Sequence, residues 1–284
     1  MFKVVKKKIL NSNVSMMEIS AKMIADKARP GQFLMLRVDQ EGERIPLTIA
    51  DCNRKYGTVS IIFQIVGSTT TRLNRLNEGD HIKDLVGPLG KASELDGLKK
   101  VAVVGGGVGC AIAYPVAKYL HSSDAIVHSI IGFRNKNLVI LQDEFEKISN
   151  RLIIMTDDGS FGDKGLVTDA LENLISSGEK YDKVIAIGPL VMMKFVSRLT
   201  QKHNIKTTVS MNPIMIDGTG MCGGCRVMVG NEVKFACVDG PDFDGHLVDF
   251  DEAISRSMMY RDFERESREK TCNLFKRSQK ECQI

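Results

Sequence analysis

The chain has 284 residues, of which 43% are hydrophobic and 26% are charged, and its formal net charge is +4. This composition is typical of a globular protein of one or two domains, and so small a charge predicts neither a nucleic acid nor a membrane as partner. The basic N-terminus lacks the apolar core of a signal peptide, and no run of about 18 apolar residues is present, so we expect a cytoplasmic protein.

Residues 1–97 are expected to form short strands. Residues 31–38 and 57–66 are apolar or β-branched runs with turn residues beside them, and further turns fall at 77–80 and 87–90. Several short strands separated by such turns predict a small antiparallel β-barrel.

Residues 98–210 follow a different pattern, in which strands alternate with helices. Strands are predicted at 100–104, 125–131, 152–155 and 183–187, and helices at 111–120, 141–148, 166–176 and 191–202. This alternation predicts an α/β domain with a parallel sheet covered by helices on both faces.

A glycine-rich turn joins the first of these strands to its helix. It contains Gly105, Gly106, Gly107 and Gly109, with Cys110 where a dinucleotide fingerprint would have its third glycine. A strand, a glycine turn and a helix N-terminus can bind a pyrophosphate, although such a turn also occurs for purely structural reasons.

Three other loops are expected at the same edge of the sheet, where open α/β sheets bind ligands. They contain Arg134, which could contact adenine or a phosphate, Asp157, and the pair Gly188-Pro189. No acidic residue ends the second strand, so the choice between NAD and NADP stays open.

The cysteines indicate a metal or cluster site in a reducing compartment. Of the seven, Cys222, Cys225 and Cys237 lie close together in a glycine-rich segment, and the other four are scattered: Cys52, Cys110, Cys272 and Cys282. Plant-type [2Fe–2S] proteins use Cys-x4-Cys-x2-Cys and a distant fourth Cys, and Asp217 stands where the first Cys would be. A [2Fe–2S] cluster held by Asp217 and the three thiolates is our preferred interpretation. A zinc site with the same ligands and a set of merely buried cysteines are the alternatives. We assign 211–250 to a small cluster-binding subdomain and 251–284 to a charged, helical C-terminal tail that faces solvent or a partner.

Together these motifs resemble the ferredoxin–NADP reductase superfamily, over nearly the whole chain as far as about residue 250. The resemblance is to the branch that contains the electron-transfer subunit of dihydroorotate dehydrogenase and the small subunit of NADH-dependent ferredoxin:NADP oxidoreductase. It implies that residues 1–97 bind FAD, that 98–210 bind NAD(P), and that Asp217, Cys222, Cys225 and Cys237 bind the cluster.

The family's flavin motif is matched by Arg44-Ile45-Pro46-Leu47-Thr48, in which Arg44 stands one residue earlier than in many relatives. The resemblance implies that Arg44 meets an FAD phosphate, that Leu47 flanks the flavin ring, and that Thr48 lies near flavin N5 as the residue with a direct catalytic role. Pro46 belongs to the same cofactor-binding motif. A second loop, with Gly67, Ser68, Thr69 and Thr70, would hold the FAD pyrophosphate.

The implied function is hydride exchange between NAD(H) and FAD, followed by relay of single electrons through the cluster to a larger flavoprotein subunit in a heterodimer, as in electron bifurcation. Asp217 in place of the usual Cys favours the ferredoxin:NADP oxidoreductase subunit over the dihydroorotate dehydrogenase subunit, which remains an alternative. A zinc-stabilised, nucleotide-sensing regulator is a second alternative.

Overall fold

A computed structural model describes residues 1–260 and 262–266 of the chain. Two seven-stranded sheets and one two-stranded hairpin form the framework. Within the described residues, no helix is both long and apolar enough to cross a bilayer.

The N-terminal sheet is antiparallel, with the strand order β6-β1-β2-β5-β4-β3-β7. Its outermost strands, β6 and β7, are separated in the chain by Lys83 alone, so the sheet curls back on itself into a nearly closed barrel. The elements are β1 (Phe2–Asn11), β2 (Val14–Ser20), α1 (Lys22–Lys27), β3 (Phe33–Arg37), β4 (Arg44–Asn53), β5 (Thr58–Gln64), α2 (Ser68–Leu73), β6 (His81–Ile82) and β7 (Asp84–Leu89).

Strand β3 is buried on both of its faces. Leu34 and Leu36 point into the barrel core, whereas Phe33 and Met35 belong to a second hydrophobic core outside the barrel. All four side chains are at most 3% exposed. Because successive strand residues point to opposite faces, β3 forms a wall between two cores.

The second sheet has the order β11-β10-β9-β8-β12-β13-β16, and every pair in it is parallel except β13 with β16. Its elements are β8 (Lys100–Gly106), α3 (Cys110–Ser122), β9 (Ile126–Phe133), α4 (Gln142–Glu146), β10 (Arg151–Thr156), β11 (Asp163–Lys164), α5 (Val167–Ser176), β12 (Lys183–Ile187), α6 (Leu190–Lys202), β13 (Thr207–Ser210) and β16 (Asp242–Asp244).

Alternate residues of β8 face two different layers of helices. Val101 and Val103 pack with α3 and α4, and Ala102 and Val104 pack with α5 and α6. The predicted parallel sheet with helices on both faces is therefore confirmed. Helix α4 is shorter than the predicted 141–148, and it begins after Leu141, whose φ of 59° is left-handed.

Residues 211–250 contain a long irregular loop, the hairpin of β14 (Arg226–Val229) and β15 (Glu232–Phe235), and strand β16. Because β16 pairs with β13, this segment shares a sheet with residues 98–210. Helix α7 (Phe250–Ser257) forms the start of the predicted tail 251–284, of which 261 and 267–284 lie outside the described residues.

Candidate functional site

Strand β4 carries the predicted flavin motif along the wall of the barrel. Its register places Pro46 opposite Met35 and Thr48 opposite Phe33, so Pro46 and Thr48 share the outer face of the barrel with these two side chains. Leu47 lies on the other face, against the barrel core, and is half-buried. Arg44 is exposed at the start of the strand, opposite Arg37.

The second predicted flavin loop forms the start of α2. The Thr70 hydroxyl accepts hydrogen bonds from the backbone N–H groups of Val66 and Gly67, each at 3.0 Å. The Thr71 hydroxyl donates to the Gly67 carbonyl at 2.8 Å. A Cβ atom on Gly67 would meet nothing within 4 Å, so the outer side of this turn is open to a ligand that approaches the backbone. Ser68 is half-buried and Thr69 is buried.

The glycine turn at the end of β8 is shaped mainly by a neighbouring loop. A Cβ atom on Gly109 would lie 2.5 Å from the Ile187 carbonyl oxygen, and one on Gly106 would lie 3.0 Å from Pro189 Cδ. Gly105 is also closely packed, against Cys110. Gly107 differs, because its φ is +55° and a Cβ there would meet nothing within 4 Å. The other glycines thus permit the turn to pack, and Gly107 exposes backbone to a ligand.

The glycine turn after β8 and the Gly188-Pro189 loop after β12 lie where the order of the strands reverses. The chain runs outward from β8 through β9 and β10 in one direction, and returns to the other side of β8 with β12 and β13. The carboxyl ends of β8 and β12 therefore border the crevice in which open α/β sheets bind nucleotides.

Arg134 and Asp157 stand at the same edge of the sheet, after β9 and β10. The Asp157 N–H donates to the Phe133 carbonyl at 3.1 Å, which places the two loops side by side, and both side chains are exposed. The structure therefore gathers the predicted nucleotide-binding residues along one edge.

Two of the three clustered cysteines meet in the interior. The Sγ atoms of Cys225 and Cys237 are 3.2 Å apart, and each residue is 1% exposed. Burial and the neighbouring Cys225 raise the pKa of Cys237 to about 12, although a hydrogen bond from the Gly220 N–H lowers it in part. Two adjacent buried thiols cannot both ionise without a nearby cation, and iron or zinc would supply one.

Cys222 and Asp217 lie on the outer side of this pair. Cys222 is exposed, and its Sγ accepts a hydrogen bond from the Gly224 N–H at 3.5 Å. The Asp217 carboxylate accepts one from the Cys222 N–H at 2.8 Å and another from the Thr219 N–H at 2.5 Å. These hydrogen bonds lower the pKa of Asp217, and the bond from the Thr219 N–H has the largest effect.

Asp217 and Cys222 do not converge on the buried cysteine pair. In the part of the chain that the structure describes, no three His, Cys, Asp or Glu side chains are arranged to hold a metal ion. The donor set nevertheless suits an iron–sulfur cluster, with two thiols already together and a third thiol and an ionised carboxylate on one adjoining loop. Because Asp217 Oδ2 accepts, among the described residues, only the hydrogen bond from the Cys222 N–H, this oxygen keeps a lone pair with which it could bind a metal ion.

Sequence reasoning missed two contacts that support these loops. The Arg256 guanidinium of α7 donates to the Gly224 carbonyl at 3.3 Å. Lys118 of α3 reaches Asp51 of β4 at 2.7 Å and so joins the nucleotide-binding helix to the flavin strand. Both partners are distant in the sequence, and neither contact belongs to a motif.

A barrel beside a parallel nucleotide-binding sheet defines the class of the ferredoxin–NADP reductases, as the sequence predicted. Residues 212–249 match the family model of the iron–sulfur cluster binding domain of dihydroorotate dehydrogenase B. A homologue of the electron transfer subunit of dihydroorotate dehydrogenase B (NAD⁺) from Thermotoga maritima is 45% identical over 267 residues, which cover 94% of each chain. An uncharacterized protein of the adh 3′ region of Clostridium beijerinckii is 52% identical over 92% of this chain and 91% of that one.

Among solved structures, an NADH-dependent reduced ferredoxin–NADP oxidoreductase described for flavin-based electron bifurcation is similar, with a TM-score of 0.90 and 44% identity. The match covers 95% of this chain and 97% of that one. The chain belongs to the family of electron-transfer subunits of the dihydroorotate dehydrogenase B type, which confirms the predicted family and fold.

Proposed function

We propose that the chain is the electron-transfer subunit of an NADH-dependent ferredoxin:NADP oxidoreductase in the cytoplasm. Its cofactors in this role are FAD, a [2Fe–2S] cluster and NAD(H). When bound, they supply hydride exchange between NAD(H) and FAD and one-electron transfer through the cluster, in the service of electron bifurcation with a larger flavoprotein subunit.

One observation carries the proposal: the outer face of β4 connects all three predicted sites. Pro46 lies opposite Met35, which shares a hydrophobic core with Cys225 and Cys237. Four residues further on, Ala50 packs in the core that contains helix α3. Thr48 stands between them. At about 3.3 Å per residue, roughly 13 Å of strand spans the distance from the cluster side to the nucleotide side.

The residues of the chain bind and orient the cofactors in this scheme. Arg44 and the loop of Gly67, Ser68, Thr69 and Thr70 would hold the FAD phosphates, and Pro46 would line the flavin on the outer face of β4. Leu47 is predicted to flank the flavin as well, but its side chain packs against the barrel core. The Thr48 hydroxyl would hydrogen-bond at N5. The turn of Gly105, Gly106, Gly107 and Gly109 would bind NAD(H), together with Arg134, Asp157, Gly188 and Pro189. Hydride exchange needs no general base, so none is assigned.

The cluster ligands in this proposal are Asp217, Cys222, Cys225 and Cys237. Gly218, Gly220 and Gly223 all have positive φ values and lie between or beside these residues. Such glycines allow the outer loop to turn sharply, so Asp217 and Cys222 can approach the buried pair of thiols.

The electron-transfer subunit of dihydroorotate dehydrogenase B is the second candidate. The match of 212–249 to that enzyme's cluster domain favours it. The two candidates share their cofactors and differ in the partner: a dehydrogenase barrel in one case and a large flavoprotein in the other. Purification of the tagged protein from its native cells, followed by mass spectrometry of the co-purifying subunit, distinguishes them.

The cofactors are tested by the anaerobic absorbance spectrum, iron analysis and NADH titration of the purified protein. We expect flavin bands, a broader iron–sulfur absorbance at longer wavelength, and bleaching of both by NADH. A colourless protein that contains zinc would overturn the redox proposal in favour of a zinc-stabilised regulator.

A further inference from the structure

We propose that Met35 is a positioning residue for electron transfer between the flavin and the cluster. The cluster loop, defined here as Asp217–Cys222, packs against the barrel at the Met35 side chain. This inference depends on the proposed cofactors, and it concerns how the chain sets the distance between them.

The contact between this loop and the barrel is close. A Cβ atom on Gly218 would lie 2.6 Å from Met35 Cγ, 3.1 Å from Met35 Sδ and 3.1 Å from Leu89 Cδ1. Gly218 has a φ of +79°, so both its backbone conformation and this contact call for glycine. The loop therefore rests on Met35 with its backbone rather than through a flexible side chain.

Met35 also lies next to the flavin strand and shares a core with the cluster cysteines. It is 2% exposed, and its core contains the cluster cysteines Cys225 and Cys237. On the barrel it stands opposite Pro46 in the flavin strand β4. One side chain thus lies between the loop that would hold the outer part of the cluster and the strand that would hold the flavin.

Other contacts of the cluster loop fix its shape but not its place on the barrel. The bonds that the Asp217 carboxylate accepts from Thr219 and Cys222 lie within the loop. The contact of Gly220 is with Val238, which belongs to the same subdomain. The loop itself packs against the barrel at Met35 and Leu89. The rest of the subdomain is held separately, because the Lys91 N–H donates to the Gly240 carbonyl at 2.6 Å.

The step affected is the transfer of one electron from the reduced flavin to the oxidised cluster. The flavin loses one electron and the cluster gains it, and no bond at Met35 forms or breaks. Because this rate depends on the separation of the two groups, a shifted loop slows electron transfer without slowing hydride transfer from NADH.

The first test compares Met35→Ala with Met35→Leu in the holoprotein by anaerobic stopped-flow with NADH. Met35→Ala is expected to leave the flavin-reduction phase unchanged and to slow the cluster-reduction phase severalfold, because the rate of electron transfer falls with each added ångström between the two groups. Met35→Leu, which conserves volume, is expected to keep the wild-type rate. Met17→Ala is the matched control, because Met17 is equally buried in the barrel core but makes no part of the second core.

The second test is a double-mutant cycle with Gly218→Ala, and the single variant Gly218→Ala tests the same contact if Met35→Ala does not fold. Gly218→Ala alone is expected to displace the loop and slow cluster reduction. In Met35→Ala/Gly218→Ala the new methyl group has room, so the double variant is expected to be no slower than Gly218→Ala. Hydrogen–deuterium exchange of the Thr219 and Cys222 amides is the independent readout, and it is expected to quicken in both single variants but not in Met17→Ala.

Wild-type cluster-reduction rates and wild-type loop exchange in Met35→Ala would overturn this inference. So would slowing factors that multiply in the double variant, since independent effects would then explain both changes. Either result leaves the proposed function intact as long as flavin and cluster are both present. A protein without these cofactors refutes the proposed function itself.

Discussion

Thr48 is the residue whose place on the barrel says most about hydride exchange. It is half-buried on the outer face of β4, between the cluster side and the nucleotide side of the strand. Only its hydroxyl can donate to a flavin atom, and valine has the same shape without that group.

We therefore expect Thr48→Val to bind FAD normally and to be reduced by NADH on the order of tenfold more slowly, since a lost hydrogen bond of about 1.4 kcal/mol corresponds to that factor. Stopped-flow absorbance in the flavin band measures the rate, and Thr48→Ser is the matched control. An unchanged rate in Thr48→Val would remove Thr48 from the reaction.

Asp217 is the residue on which the identity of the cluster depends. We expect Asp217→Ala to retain iron at least about 10-fold more weakly, because even the outer partners of metal ligands contribute about 10- to 100-fold to affinity. Asp217→Cys is expected to keep the iron and to change the absorbance and EPR spectra. Iron per chain and the EPR spectrum of the reduced protein measure both effects.

Asp158→Ala is a suitable control for Asp217→Ala. Asp158 is also an exposed aspartate whose carboxylate accepts a backbone bond, from Ser160 at 2.9 Å, and it lies in another loop. It should keep its iron. A wild-type spectrum and iron content in Asp217→Ala would mean that the fourth ligand is another residue.

For single residues, the sequence predicts a site wherever the chemistry requires a fixed spacing between the side chains. The intervals between Cys222, Cys225 and Cys237 predicted one site, and the structure joins the last two directly. The hydrogen bonds of the Asp217 carboxylate could not be predicted in this way. A carboxylate beside glycines can bind a metal or cap its own loop, and only coordinates distinguish the two.

Among the elements, the turn before α3 meets the end of β12 through backbone atoms. A Cβ atom on Gly109 would lie 2.5 Å from the Ile187 carbonyl oxygen and 2.7 Å from Gly188 Cα. Neither neighbour is a flexible side chain, so an added methyl group must push the helix away from the strand.

We expect Gly109→Ala to lower the free energy of unfolding by about 1–3 kcal/mol, the usual cost of overpacking, and to weaken NADH binding as well. Urea unfolding and NADH titration measure the two effects. Gly67→Ala is the contrasting variant, because a Cβ there meets nothing and φ is not positive. It should leave the stability of the FAD-free protein unchanged and weaken FAD binding. Equal destabilisation by both variants would contradict this reading.

Elements with a strong pattern were predictable, and those that depend on tertiary contacts were not. The runs at 100–104 and 183–187 have the apolar character of buried parallel strands, and they became β8 and β12. Strand β16 has only three residues, and it forms because it pairs with the edge strand β13. The fold class therefore follows from the sequence, whereas the union of the cluster segment with the nucleotide-binding sheet does not.

In the whole molecule, Asp242 ties the cluster segment to the connection between the two large sheets. Its Oδ2 accepts a hydrogen bond from the Ser93 hydroxyl at 2.5 Å, whereas Oδ1 is buried without a partner. Burial raises the pKa of Asp242 above its usual value, against smaller effects of Ser93 and Ser210.

A raised pKa in the folded state sets the sign of the pH dependence. The folded protein favours protonated Asp242, so its contribution to stability is fully present below the unfolded pKa of about 3.9 and is lost as the pH rises through the higher folded pKa. We therefore expect the thermal midpoint of the wild type, measured relative to Asp242→Asn, to fall as the pH is raised from about 4.

Asp182→Asn provides a control of opposite sign. Asp182 accepts hydrogen bonds from the backbone N–H groups of Lys100 and Lys99, and these lower its pKa. Its contribution is present above about pH 3.9 and is lost as the pH falls through the lowered value. Thermal midpoints that differ from the wild type by a constant amount at every pH would show that Asp242 does not titrate with unfolding.

The double burial of β3 has a consequence for engineering. If residues 211–250 were deleted to obtain a reductase with flavin and nucleotide sites only, Phe33 and Met35 would become an exposed apolar patch on an otherwise intact barrel. Such a patch promotes association, so the shortened protein would need polar side chains at both positions to stay monomeric. The alternating hydrophobic residues of β3 thus show that the outer face of this strand is an internal packing surface and not a surface for solvent.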